Sequence, residues 1–188
     1  MSWKGFLPEN AIVMRRRAAL SPAAPAVAPH EAFVAEGNLQ ARLVFVGGSP
    51  TEEESRTSRV FVGPPGQLLD KMITAMGLSR EQVYLANLLQ APGQPISECL
   101  TLLVKKLTEI RPEVVVLLGE LAAQAFLSTE LPLSQLRGKF HSCDRLPSCK
   151  LLATFHPADL LLEPALKREA WDDLKQVAKE LALPISRS

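Results

Sequence analysis

The chain has 188 residues, of which 47% are hydrophobic and 22% are charged, proportions typical of a globular domain with one buried core. Its 21 lysines and arginines nearly balance its 20 aspartates and glutamates, so a net charge of +1 excludes a surface that is strongly basic or acidic overall. The apolar runs are too short to cross a bilayer and the first residues lack a signal-peptide pattern, so we expect a cytoplasmic protein without a membrane partner.

The first 40 residues differ in composition from the rest of the chain. Residues 18–29 are mostly alanine and proline, which is typical of a linker, and aromatic and basic residues precede them. We predict an N-terminal arm and linker over residues 1–40 and a folded domain over residues 41–188. The arm is a candidate contact for a protein partner, with an ordinary frayed terminus as the alternative. Its candidate contact residues are Trp3, Phe6, Arg15, Arg16 and Arg17.

From residue 41 onward, apolar strands alternate with amphipathic helices. The predicted strands span residues 42–47, 82–89, 113–118 and 149–155. The predicted helices span residues 67–76, 97–110, 120–127 and 164–181. This alternation implies parallel strands, right-handed crossovers and helices on both faces of the sheet. The predicted fold is α/β, a three-layer α/β/α sandwich with a central four-stranded parallel sheet.

Three cysteines, an odd number, argue against a disulfide framework. Only Cys143 and Cys149 are close in sequence, with His141 beside them, and a structural metal site requires four ligands in close pairs. We therefore predict no metal site from these residues.

In parallel sheets, ligands bind beyond the carboxyl ends of the strands. The segments that follow the four predicted strands are residues 47–54, 87–95, 119–120 and 156–157, and three of the four carry polar or conformationally special residues. We expect these four segments to converge on one pocket.

Short motifs mark these strand ends and the helices that follow. They are Val46-Gly-Gly-Ser-Pro50, Phe61-Val-Gly-Pro-Pro-Gly-Gln-Leu-Leu-Asp70, Tyr84-Leu-Ala-Asn87, Arg137-Gly138 and His156-Pro-Ala-Asp-Leu-Leu-Leu-Glu-Pro-Ala-Leu-Lys-Arg168. In order and spacing the series resembles the uracil-DNA glycosylase superfamily over about residues 41–182, and the branch it resembles most is the family 4 type of bacteria and archaea. The resemblance implies DNA as a partner and removal of uracil, or a related deaminated base, by hydrolysis of the N-glycosidic bond.

Such an enzyme extrudes the nucleotide into a pocket that stacks the base and hydrogen-bonds its polar edge. The resemblance places the stacking ring at Phe61, the discriminating amide at Asn87 and a donor to the base oxygen at His156. Asn87 and His156 are the candidate catalytic residues. The remaining base-binding candidates are Gly48 and Ser49. The DNA-binding candidates are Pro50, Arg137, Pro157, Leu160, Leu161, Lys167 and Arg168, with residues 160–162 as an apolar wedge.

Each of these residues also has an ordinary structural interpretation. Phe61 fits a core position, Asn87 a turn, His156 a packed strand end, and the leucine run a buried helix entry. The joint order of the four favours the site over four separate structural roles.

The sequence departs from the family 4 pattern in two respects. An acidic residue of that pattern is replaced by Gly48, which removes a contribution of about 10²- to 10⁴-fold from a positioned general base. Glu52, Glu53 and Glu54 follow, and either one of them reaches the site or they form a solvated loop or helix start. Family 4 enzymes also hold an iron-sulfur cluster on four cysteines, and only Cys99 has a counterpart there. We therefore expect no iron-sulfur cluster and no other cofactor.

These observations leave competing functions. The first is a glycosylase of reduced or altered activity. The second is a catalytically inactive glycosylase-fold scaffold in DNA replication or repair, similar to the psi subunit of the bacterial clamp-loader assembly, with the N-terminal arm as its tether. A small nucleotide-binding enzyme is the third, and it is disfavoured because the chain lacks the phosphate-loop lysine and the three-glycine fingerprint.

Overall fold

The structure is a computed structural model that describes residues 34–184. The arm residues for which a partner was predicted, from Trp3 to Arg17, lie outside this range. Among the described residues, no helix has both the length and the apolar character needed to span a bilayer.

Six strands form one mixed sheet within residues 34–184. They are β1 (Ala35–Gly37), β2 (Leu43–Gly47), β3 (Tyr84–Asn87), β4 (Val114–Leu118), β5 (Phe140–His141) and β6 (Lys150–Thr154). Their order across the sheet is β1-β3-β2-β4-β6-β5. The pairs β2–β3, β2–β4 and β4–β6 are parallel, whereas the edge strands β1 and β5 pair antiparallel. The predicted α/β class is confirmed, and the four predicted strands are the parallel centre, β3-β2-β4-β6, of a mixed six-stranded sheet.

The helices cover both faces of this sheet. They are α1 (Glu52–Thr57), α2 (Gly63–Ala75), α3 (Ile96–Ile110), α4 (Glu120–Leu127), α5 (Leu133–Leu136), α6 (Pro157–Leu162) and α7 (Lys167–Glu180). Side chains of a strand point alternately to the two faces. In β2, Val44 and Val46 pack in a core with α3 and α4, while Leu43 and Phe45 pack in a second core with α2 and α7. Continuous burial of the central strands follows from this double coverage.

The sheet begins before residue 41, the predicted start of the folded domain. Strand β1 pairs with β3 from Ala35 to Gly37, inside the segment predicted to be linker. Gly37 has a φ of +109°, a backbone conformation that residues other than glycine rarely adopt. A Cβ at this position would also collide with the carbonyl oxygen of Val83. A three-residue strand has too few residues to show the alternation from which strands are predicted.

Substitutions of two neighbouring leucines on α3 test which face of this helix packs against the core. Leu103 is fully buried, and we expect Leu103→Ala to lower the free energy of unfolding by about 2–5 kcal/mol because it leaves a cavity. Leu102 is half exposed, and Leu102→Ala should change that free energy by less than about 0.5 kcal/mol. Urea unfolding followed by circular dichroism measures both, and equal losses would contradict the orientation of α3.

Candidate functional site

The carboxyl ends of β2 and β3 meet at Gly47 and Asn87, which are direct partners in the parallel ladder. A Cβ at residue 47 would collide with Oδ1 of Asn87 and would lie 2.9 Å from Cζ of Phe61. Any side chain at this position would therefore displace both groups. The absence of a Cβ at Gly47 is what brings the amide and the aromatic ring together.

The side chain of Asn87 is only 2% exposed, and its Nδ2 has no hydrogen-bond partner within residues 34–184. Buried polar atoms are almost always paired, and leaving one unpaired costs about 1–3 kcal/mol. An unpaired buried donor at the ligand-binding edge of a parallel sheet is a candidate ligand contact. Asn87 thus has the burial and the free donor that a base-reading amide needs.

Phe61 is fixed by its backbone. It is 3% exposed, and its φ of +51° lies in the left-handed region that non-glycine residues rarely adopt. Its N–H donates to Oε1 of Glu54. Its carbonyl oxygen lies so close to Gly66 that a Cβ there would collide with it. The ring centroid lies 6.0 Å from that of His156, with the planes inclined by 30°.

His156 lies immediately before α6 and caps that helix. Its Nδ1 accepts a hydrogen bond from the N–H of Ala158 at 3.2 Å, which assigns the proton of the neutral ring to Nε2. Burial lowers the pKa of His156 below its ordinary value of 6.5, although the carboxylates of Asp159 and Glu54 oppose that change. At neutral pH the ring is therefore an uncharged donor through Nε2.

Of the three glutamates after the β2 loop, Glu52 and Glu53 are exposed and begin α1, as one of the two alternatives predicted. Glu54 is 6% exposed and completes a capping box: its Oε2 accepts from the N–H of Thr51 at 2.6 Å and its backbone N–H donates to the Thr51 hydroxyl. Because Oε1 accepts from Phe61, the buried carboxylate joins the start of α1 to the stacking residue.

Gly48 is buried, Ser49 is exposed and Pro50 is half-buried. The backbone of Gly48 is not left-handed, so it permits a side chain, but a Cβ there would lie 3.2 Å from both Cβ and Cδ2 of Leu121. A side chain at residue 48 would therefore be tightly packed against Leu121, in the first turn of α4, unless Leu121 moved by a few tenths of an ångström.

The predicted DNA-contacting leucines divide into two kinds. Leu160 is 1% exposed and Pro157 is also buried, so the predictions that these two residues contact DNA are corrected. Leu161 is partly exposed and Leu162 is 86% exposed, so these two residues carry the free apolar surface of α6.

The basic candidates also divide. Lys167 and Arg168 are exposed in the first turn of α7. In contrast, the Arg137 guanidinium donates to both carboxylate oxygens of Asp173, at 3.2 and 3.0 Å, and to Glu169 at 2.7 Å. Since three hydrogen bonds to Asp173 and Glu169 hold the guanidinium within the protein, the prediction that Arg137 contacts DNA is corrected. Asp173 was not identified from the sequence as the partner of Arg137, although an aspartate among the apolar residues of α7 indicates a buried carboxylate.

The part of the chain that carries these residues matches a known family. A sequence profile of the Uracil DNA glycosylase superfamily matches residues 34–175. The chain belongs to the uracil-DNA glycosylase superfamily. It is similar to the type-4 uracil-DNA glycosylase of Thermotoga maritima, with 36% identity over 154 residues that cover 76% of this chain and 79% of the relative.

Two further type-4 uracil-DNA glycosylases are similar over most of their length. That of Archaeoglobus fulgidus is 34% identical over 156 residues, which cover 76% of this chain and 78% of the relative. That of Saccharolobus solfataricus is 29% identical over 163 residues, which cover 78% of this chain and 74% of the relative. The predicted family is confirmed by these matches.

The same relatives contradict the prediction of a protein without a cofactor, because type-4 enzymes are the iron-sulfur class. The cysteines of this chain do not match that group: within the described residues, no cluster of three or more cysteine, histidine or acidic side chains could hold a metal. Burial raises the pKa of the Cys149 thiol to about 12.

The capping role of Glu54 generates a stability prediction. Glu54→Gln places an amide group against one of two backbone N–H donors, so we expect the free energy of unfolding to fall by about 1–3 kcal/mol. Glu53→Gln, on the exposed side of the same helix, should change it by less than about 0.5 kcal/mol. Urea unfolding of the two variants gives the comparison, and a neutral Glu54→Gln would contradict the capping box.

The environment of His156 generates a prediction about pH. Its folded pKa is lower than its unfolded pKa, so its contribution to stability is complete above about pH 6.5 and is lost as pH falls through the folded value. We expect the ring resonances of His156, assigned with His156→Gln, to titrate below pH 6.5 in an NMR titration. A midpoint above 6.5 would show that the ring is not held neutral by burial.

Proposed function

We propose that the protein removes uracil, or a related deaminated base, from DNA by hydrolysis of the N-glycosidic bond, at the site formed by Phe61, Asn87 and His156. The observation that carries this proposal is the buried and unpartnered Nδ2 of Asn87 beside the Phe61 ring. The three relatives described above, each named a type-4 uracil-DNA glycosylase, support the same class of reaction.

Asn87 matches the polar edge of uracil. Uracil presents a carbonyl oxygen next to an imide N–H, and one amide side chain can donate to the first through Nδ2 and accept from the second through Oδ1. Cytosine presents the reverse pattern, an amino donor next to a ring acceptor, and would leave two mismatched buried groups. Phe61 supplies the apolar face against which an extruded base stacks.

His156 stabilises the leaving base. As the bond between the sugar carbon and the base nitrogen breaks, positive charge develops on the sugar and negative charge on the base. The neutral ring of His156 offers Nε2–H as a donor fixed before the reaction, which stabilises the developing oxyanion. Water completes the reaction by adding its hydroxyl group to the sugar carbon and its proton to the base.

The reaction proceeds without a carboxylate at residue 48. Both oxygens of the nearest buried glutamate, Glu54, already accept backbone N–H groups. A contribution of about 10²- to 10⁴-fold from a positioned base is absent, so the activity is reduced or directed to altered bases.

The exposed residues of α6 and α7 form the proposed DNA contact. Leu161 and Leu162 provide an apolar surface suited to entering the stack as the base leaves it. Lys167 and Arg168 stand exposed a few residues further on, where they would meet phosphates.

The second candidate is a catalytically inactive scaffold in DNA replication or repair, and Gly48 is the feature that favours it. In this alternative the pocket binds a base or DNA without cleavage, and a protein partner binds the N-terminal arm. A protein lacking residues 1–33 would keep DNA binding and lose the partner.

Single-turnover release of uracil from single-stranded and mismatched duplex DNA tests the proposal. We expect the wild type to release uracil and His156→Ala to be slower by about 10²- to 10³-fold, since a preorganised donor is lost. Asn87→Asp should also lose activity because it replaces the Nδ2 donor with a carboxylate oxygen, whereas Asn38→Asp, in an exposed turn, is the matched control. Unchanged rates in both site variants would refute the assignment.

A double variant that introduces a glutamate at residue 48 and shortens Leu121 tests the effect of the absent carboxylate. Gly48→Glu combined with Leu121→Ala should be faster than the wild type, because Leu121 otherwise obstructs the new side chain. If neither the wild type nor the double variant releases a base while both bind uracil-containing DNA, the scaffold is favoured.

A further inference from the structure

The strand that leads to His156 is anchored by a buried carboxylate. Thr154, the last residue of β6, is fully buried, and its hydroxyl donates to Oδ2 of Asp173 at 2.6 Å. Asp173 is itself 1% exposed and lies on α7, between that helix and the end of the strand. A buried charge is stable only when it is paired and hydrogen-bonded, so Asp173 must have partners that compensate its burial.

Arg137 is the main partner of this carboxylate. Its Nε and Nη2 form a forked pair with the two oxygens of Asp173, and its side chain is 18% exposed. The plane of the guanidinium also covers the ring of Phe155, whose centroid lies 4.8 Å from Cζ of Arg137. One ion pair thus holds both residues that precede His156: Thr154 through the carboxylate and Phe155 through the guanidinium.

The main chain is held at the same point. The N–H of Gly119 donates to the carbonyl oxygen of Thr154 at 2.9 Å, and a Cβ at Gly119 would lie 3.3 Å from Cβ of His156. On the opposite side Arg137 forms an isolated parallel bridge with Ala153. The strand end is therefore contacted by the start of α4, by α7 and by the segment after α5.

We infer that Asp173 and Arg137 are positioning residues, which set the place and direction of the His156 ring through Thr154 and Phe155. This inference rests on the proposed function, in which Nε2 of His156 must meet the base oxygen. A displacement of about 1 Å at such a donor costs on the order of 10²-fold in rate. The ion pair touches neither base nor DNA in this assignment, so it acts on the rate and not on binding.

Two conservative variants separate positioning from folding. Thr154→Val keeps the shape of the side chain and removes only the donor to Asp173. Arg137→Lys keeps the positive charge and removes the fork and the planar stacking. The matched control is Asp172→Asn, an exposed neighbour on the same helix that pairs with Lys175.

The measurements are the single-turnover rate at saturating enzyme, the affinity for uracil-containing DNA and the pKa of His156 by NMR. We expect both variants to lower the rate by about 10-fold or more, with affinity unchanged within about two-fold. The pKa of His156 should rise towards 6.5 as the ring becomes less confined, while Asp172→Asn matches the wild type in all three.

Rates within two-fold of the wild type together with an unchanged pKa of His156 would overturn the inference, even if the melting temperature falls, because the ion pair would then only stabilise the fold. If the wild type itself releases no uracil, the proposed function fails, and the NMR measurement alone tests the positioning role. A pKa of His156 that shifts in Thr154→Val supports that role, and an unchanged pKa overturns it. If Thr154→Val does not fold, Arg137→Lys supplies the same comparison.

Discussion

The parallel pairing of β2 with β3 is the constraint on which the site depends. It sets Gly47 opposite Asn87, and because residue 47 has no side chain, the amide of Asn87 and the aromatic ring of Phe61, from the segment between α1 and α2, lie close together. A shift of the register by one residue would turn Asn87 towards the opposite core, since strand side chains alternate. The buried cores on the two faces of the sheet prevent that shift, so the packing that stabilises the fold also aligns the pocket.

Each functional side chain is held in place by a different set of contacts, and none lies in a loop that lacks such contacts. Asn87 is fixed by the sheet, Phe61 by a left-handed backbone bound to a buried carboxylate, and His156 by its own capping bond to α6. Such strained or unsatisfied groups lower the stability of the free protein. They persist because the surrounding elements are rigid, which is the condition for a site that does not reorganise when the base enters.

The residues whose roles follow from periodicity and position were predictable from the sequence. The central strands were found because they are continuous apolar runs, the long helices because they show a helical period, and Gly48 was visible as a missing acid. The three-residue strand β1 and the six-residue helix α6 were not found, because neither shows a clear pattern of its own. Arg137 was assigned to DNA because a basic residue in a motif does not reveal its partner, and Asp173 lies 36 positions away in sequence. The burial of Leu160 likewise depends on how α6 packs, which three consecutive leucines do not specify.

Leu121 and Gly48 are complementary in size, since the side chain of one fills the direction that the other leaves open. The effect of a substitution at either position therefore depends on the residue at the other. A carboxylate introduced at residue 48 meets a leucine, and a smaller residue introduced first at position 121 leaves a void that nothing fills. Introducing the acid therefore passes through a single variant that is either crowded at residue 48 or underpacked at residue 121, so the effects of the two substitutions are not additive.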